Sequence, residues 1–169
     1  TSEIERLNIE ARYLTSVEND PRQALGIYHT WLETYPRDYT ALINAGLLNK
    51  QLANHRDAIR QFEAVIAKRP DLVDAYRYMA YAYWQLGQPV AAIKTLEAAV
   101  TLHVADQDVL TRLGVFLAET GQAAKAIALL GPVAGDDPEA LNSLGIAYGQ
   151  AGRVNDALAT FQRVLTIDD

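Results

Sequence analysis

The sequence predicts an all-α protein built as a tandem array of antiparallel helix pairs, and three observations carry that prediction. Alanine recurs in phase at Ala24, Ala58, Ala92, Ala126 and Ala157. Apolar residues around each recurrence follow the i, i+3, i+4, i+7 spacing of a helical face, and no stretch alternates with period two for long enough to make a strand. Turn signals fall between the faces at a regular interval, which marks a repeat of one supersecondary unit.

Five units follow in register. Glu5–Asp38, Tyr39–Leu72 and Val73–Asp106 are equal in length, and Gln107–Asp137 and Pro138–Asp169 are slightly shorter. Numbered from the first residue of each unit, positions 4, 7, 8 and 11 lie on one face of a first helix in units two to five, and positions 20, 24 and 27 repeat that spacing on a second helix. In unit one, Ser2-Glu3-Ile4-Glu5 reads as a capping box that opens the first helix. Asn19 stands at the turn, and Pro21 begins the second helix, where a missing N–H costs little. Unit two offers Leu42, Ala45 and Gly46, then Ala53 at the turn, then Ala58 and Phe62. Unit three has Tyr76, Met79, Ala80 and Tyr83 before Gly87 and Pro89, then Ala92 and Leu96. Unit four has Leu110, Leu113 and Gly114 before Gly121, and unit five has Leu141, Leu144 and Gly145 before Gly152. Glycine or asparagine at the turn suits a residue with positive φ, and alanine suits it less. Small residues at positions 8 and 20 let two helices cross closely while large ones at 4, 7, 11 and 24 fill the sides. Pro36 and Pro70 close the second helices of units one and two. Gly131-Pro132 predicts a shortened or kinked second helix in unit four.

These residues resemble the tetratricopeptide repeat, whose unit is about 34 residues long. Unit two carries the pattern in Leu42, Ala45, Gly46, Ala58, Phe62 and Pro70. Unit three carries it in Tyr76, Ala80, Tyr83, Gly87, Ala92 and Ala99, and unit five in Leu141, Leu144, Gly145, Tyr148, Gly152, Ala157 and Phe161. Arg12 at position 8, Val104 at the final proline position and the short fourth unit depart from it. The resemblance implies a right-handed superhelical solenoid, one domain over residues 1–169, acting as a non-catalytic scaffold for protein–protein interaction. Within the family, one known mode clamps a chaperone tail with Lys, Asn and Arg. Here Ile9 and Tyr13, then Asp74 and Tyr78, stand at the clamp positions, so that ligand is not expected. Ser2-Glu3-Ile4-Glu5-Arg6-Leu7 and Tyr35-Pro36-Arg37-Asp38 are similar to repeat regions that follow bacterial serine/threonine kinases. Ala82-Tyr83-Trp84-Gln85-Leu86-Gly87 and Ala140-Leu141-Asn142-Ser143-Leu144-Gly145 are similar to repeat tails of sulfatase-like hydrolases. On that alternative the chain is an accessory region of a multidomain bacterial enzyme whose catalysis lies elsewhere.

Composition narrows the chemistry. A net charge of −6 opposes nucleic-acid binding, which draws its affinity from Lys and Arg. No cysteine is present, which removes disulfides, thiolate nucleophiles and Cys-ligated metals. The apolar stretch near Ala126–Gly135 is far shorter than the ~20 residues of a membrane span. His29, His55 and His103 fall at unrelated positions of different units, so no metal and no cofactor are expected. Phosphate-binding loops and nucleophile elbows are absent. Asp136-Asp137 and Asp168-Asp169 read as helix caps rather than an acid/base pair. Thr1 is not an initiator methionine, and Leu158, Phe161 and Leu165 are expected to leave a bare apolar side on the last helix. The first is expected of an excised fragment or a processed chain, and the second of a segment cut from a longer protein.

In the architecture the resemblance implies, the first helix of each unit lines a concave groove. Positions 2, 5, 6, 9, 12 and 13 then face a protein or peptide partner, from another chain or from the same one. The candidate groove residues are Tyr13, Ile43, Asn44, Leu47, Lys50, Arg77, Tyr78, Tyr81, Trp84, Arg112 and Val115. Unit three stands out, because its packing face is complete without Tyr78, Tyr81 and Trp84. Two readings fit these rings: exposed aromatics beside arginine form a binding hot spot, or they stack on neighbouring first helices and thicken the wall.

Overall fold

The structure, a computed structural model, describes residues 2–167. Among them are ten α-helices and no strand. They are α1 (Glu3–Ser16), α2 (Pro21–Thr34), α3 (Tyr39–Gln51), α4 (His55–Lys68), α5 (Val73–Gln85), α6 (Pro89–Thr101), α7 (Gln107–Glu119), α8 (Ala123–Val133), α9 (Pro138–Gln150) and α10 (Val154–Ile167). Two compact units divide the chain between Gln88 and Pro89, so α1–α5 form one and α6–α10 the other.

Local sequence explains where the helices begin and end. Ser2 caps α1 through the predicted box: its hydroxyl accepts from the Glu5 N–H at 3.2 Å while the Glu5 carboxylate accepts from the Ser2 N–H at 2.8 Å. Asp20, Asp38, Asp106 and Asp137 cap α2, α3, α7 and α9, each accepting from a backbone N–H of the first turn. Asp168-Asp169, read from the sequence as a cap, lies outside the described residues. The turns inside the helix pairs take the left-handed conformation at Asn19, Ala53, Gly87, Gly121 and Gly152, with φ between 52° and 75°. His103 and Gly135 share it at φ 56° and 50°, which the sequence did not indicate. Both follow helices that lack the terminal proline found after α2 and α4, so a left-handed residue reverses the chain there instead.

In the unit up to Gln88, α1 packs on α2, α2 on α3, α3 on α4, and α5 on both α3 and α4. Leu7, Ala11, Ala24, Leu25, Tyr28 and Trp31 form one core with Ala41, Ala45 and Leu48. A second core gathers Leu42, Ala58, Ile59, Phe62, Val65, Ala75 and Ala82. Gly46 shows what the small residue at position 8 does. A Cβ there would lie 2.9 Å from the ring of Phe62, at position 24 of the same unit. Glycine therefore makes room for a buried ring rather than only for the opposing backbone. Asn49, 1% exposed, stands where Tyr83 and Tyr148 stand in later units. Its amide donates to Gln61 Oε1 at 2.8 Å and its carbonyl accepts from Asn54 at 3.0 Å. That satisfied network ties the end of α3 to α4.

In the unit from Pro89 on, α7 packs on α6, α8 and α9, and α9 packs on α8 and α10. Gly114 and Gly145 repeat the arrangement of Gly46: an added Cβ would meet Leu130 at 2.4 Å and Phe161 at 2.6 Å. As expected from Gly131-Pro132, α8 is the shortest helix among those described, with Pro132 in its last turn. The outer side of α10 leaves Leu158 and Leu165 exposed, whereas Phe161 is half-buried over Gly145.

Candidate partner-binding groove

The side chains that gather on one surface of the unit up to Gln88 come from α3 and α5. Helical spacing puts Ile43, Leu47 and Lys50 in one row of α3, and Tyr78 and Tyr81 in the facing row of α5. The rows are held in place from beneath. Tyr76 donates its hydroxyl hydrogen to Pro70 O at 3.1 Å, and Tyr83 donates to Glu63 Oε1 at 3.2 Å, so α5 is fastened to the preceding loop and to α4. Burial, with the Glu63 carboxylate adding to it, raises the Tyr83 phenol above its ordinary pKa and keeps it a donor. On the α3 side, the Asn49 network fixes the turn that follows Lys50.

Tyr78 is the hub. Its ring lies 5.6 Å from that of Phe62, and it packs with Ile43 and Leu47 against the second core. The Lys50 ammonium sits 4.5 Å from the centre of the Tyr78 ring and 5.7 Å from that of Tyr81. The Arg77 guanidinium lies 5.7 Å from the Tyr78 ring and is ion-paired with Asp74 one turn earlier. Tyr81 remains 43% exposed despite these neighbours. His55, the first residue of α4, meets it edge-on at 6.3 Å. The sequence reads His55 as a solvent-exposed or partly packed imidazole of an outer helix; half-buried on α4 it is partly packed, and its contact with Tyr81 was not anticipated. The signal that was available is its place just past the α3–α4 turn, beside the end of the helix that bears Lys50.

The other candidates divide. Asn44 is half-buried and donates its amide to Thr40 O at 2.7 Å, so part of its hydrogen-bonding capacity is spent on its own helix. Trp84 is half-buried near the end of α5. Tyr13, 52% exposed on α1, donates to Glu18 at 2.7 Å, a bond that raises its pKa. Together with Ser2, Glu3, Arg6, Ile9 and Glu10 it lines an open depression of about 820 Å³. Arg112 makes a two-pronged ion pair with Glu139 of α9, at 2.6 and 3.3 Å. Val115 corrects the expectation: it is 2% exposed and offers nothing to a partner. It belongs to a run of six consecutive buried residues, Leu113 to Ala118, so that part of α7 is covered on every side.

No group of three His, Asp or Glu side chains among the described residues is placed to hold a metal ion. No helix among them is long and apolar enough to cross a membrane.

Comparison with known proteins matches this architecture. The chain is similar to MamA (41 to the end) from Desulfovibrio magneticus RS-1, with a TM-score of 0.86, 19% identity and coverage of 99% of this chain and 96% of that one. A second MamA structure is 22% identical over 91% of this chain and 92% of its own, with a TM-score of 0.82. YrrB, described as a TPR protein with an unusual peptide-binding site, is 24% identical over 98% and 86%, with a TM-score of 0.83. At these identities the likeness concerns the fold, an all-α helical-repeat solenoid. No curated protein matches the chain. A family model described as tetratricopeptide repeat matches residues 50–108, 79–131 and 111–169, together more than half of the sequence. The chain belongs to the tetratricopeptide repeat family.

Proposed function

We propose that the chain is a non-catalytic protein–protein interaction scaffold that holds a peptide against the wall formed by α3 and α5. The peptide is extended or helical, carries apolar anchors, and comes from another chain or from another segment of the same protein. One observation carries the reading. Tyr81 stays 43% exposed in the middle of a cluster whose other members are already braced by packing. A braced aromatic ring offers contact area at little further entropic cost, which is what a hot spot requires. Family membership supports the reading, as does the description of YrrB as a protein with a peptide-binding site. The titration shifts that are resolved fall on packed or hydrogen-bonded tyrosines and on the Arg69–Asp71 surface pair, not on a convergent acid/base set.

The test is selection of displayed dodecapeptides on the immobilised protein, followed by fluorescence anisotropy of the enriched peptides. Tyr81→Ala is expected to weaken binding by about tenfold or more, the loss of one hot-spot ring. Arg60→Ala, on the exposed side of α4 and paired with Asp57, serves as the control and is expected to leave affinity as it was. Circular dichroism confirms that both variants fold. Enriched peptides that bind Tyr81→Ala as tightly as the wild type refute the groove assignment.

A further inference from the structure

We infer that the bound segment carries an internal acidic side chain, glutamate or aspartate, and that Lys50 is the residue that selects it. The inference rests on the peptide-binding reading above and names the chemistry of its occupant.

Lys50 is half-buried, yet no carboxylate among the described residues pairs with it. Elsewhere in this unit Arg77 pairs with Asp74, and Arg69 with Asp71. Instead, Lys50 is steadied by the π faces of Tyr78 and Tyr81 at 4.5 and 5.7 Å. Such contacts attract the cation but leave its three N–H donors unspent. A lysine ordinarily loses much rotamer freedom when it forms an ion pair. Here the rings have already narrowed that freedom, so a carboxylate arriving at Lys50 meets a preorganised donor beside the apolar Leu47. A charge-assisted hydrogen bond in a partly dry groove is stronger than a surface pair. The net charge of the chain does not oppose this. Residues up to Gln88 are nearly balanced in charge, and the acidic excess lies from Pro89 on. Exposed charges farther than about 8 Å are largely screened at physiological ionic strength.

Lys50 also lies in the last turn of α3, where a cation favours the helix dipole. The experiment separates that structural part from ligand selection. The probe is an array of acetylated and amidated dodecapeptides with phenylalanine and leucine flanking a central glutamate, glutamine or lysine. Amidation removes the terminal carboxylate, so only the side chain is read. The glutamate set is expected to bind about tenfold more tightly than the glutamine set, with the lysine set weakest and the preference shrinking at high salt. Lys50→Gln brings the glutamate and glutamine sets to one level, whereas Lys50→Arg keeps them apart. A helix-dipole role alone would lower stability in Lys50→Gln without touching the ratio between sets. Equal binding of all three sets, a lysine preference, or a glutamate preference that survives Lys50→Gln overturns the inference while leaving the groove itself standing. Absence of binding by every set overturns both.

Discussion

A single methyl group, placed at Gly114 and at Gly26, is expected to change stability in opposite directions. Both glycines sit in helices, α7 and α2, so alanine gains about 1 kcal/mol of helix propensity at either site. At Gly26 nothing lies within 4 Å of the added Cβ, and the gain is kept. At Gly114 the same carbon would fall 2.4 Å and 2.5 Å from Leu130 Cγ and Cδ2. Carbon atoms prefer about 3.5–4.0 Å, and Leu130 is fully buried, so it has no solvent to swing into. Overpacking of a tight core costs about 1–3 kcal/mol, and an overlap beyond 1 Å belongs in the upper half of that range. Subtracting the propensity gain leaves Gly114→Ala destabilised by about 1–2 kcal/mol. Gly26→Ala should be more stable than the wild type by about 0.5–1 kcal/mol. Gly145→Ala should suffer less than its 2.6 Å contact suggests, because Phe161 is only half-buried and can give way. Urea titrations followed by circular dichroism read the midpoints, with the m-value held constant as the check that only stability moved. A Gly114→Ala midpoint equal to or above the wild type would refute the close packing of positions 8 and 24.

Four other outcomes are expected. Ala53→Gly relieves a non-glycine residue at φ 59° on an exposed turn and should raise the urea midpoint, by up to about 1 kcal/mol. Asp137→Ala removes the acceptor for the Glu139 and Ala140 N–H groups at the start of α9, for a loss of about 1 kcal/mol in the same assay. The Arg69 guanidinium, hydrogen-bonded to Asp71, holds that carboxyl below the usual range. Its small contribution to stability is therefore present above the ordinary carboxylate pKa and lost as pH falls through the depressed value. NMR titration should show Asp71 returning toward ordinary values in Arg69→Gln. Trp84→Ala should weaken the enriched peptides while folding normally, and unchanged affinity would remove Trp84 from the groove.

The helix-pair fold was legible because close packing leaves a residue-type signature. Gly46 and Phe62, Gly114 and Leu130, and Gly145 and Phe161 are each a small residue and a large one whose spacing in sequence repeats. The turn glycines and Asn19 announced their left-handed conformation in the same way, whereas His103 adopts it with no such signal. The groove was legible only in part. A helical wheel gives the direction in which a side chain leaves its helix, and on that basis Leu47, Tyr81 and Val115 are equivalent. Val115 nevertheless sits in a wholly buried stretch of α7, which depends on neighbouring elements and not on its own spacing. Arg112 looked equally available, but its partner Glu139 is on another helix, and such long-range pairs leave no local pattern. Lys50 and Tyr78 were singled out separately. Their contact, and the approach of His55 to Tyr81, come from how α3, α4 and α5 are stacked.

Amide chemical-shift mapping tests the central claim most directly. ¹⁵N-labelled protein is titrated with the tightest peptide from the display selection, and the largest shifts are located on the chain. The groove account predicts that they cluster at Leu47, Lys50, Tyr78 and Tyr81, with His55 following. Shifts concentrated on the exposed side of α4 around Arg60, with the α3 and α5 amides unmoved, would contradict it.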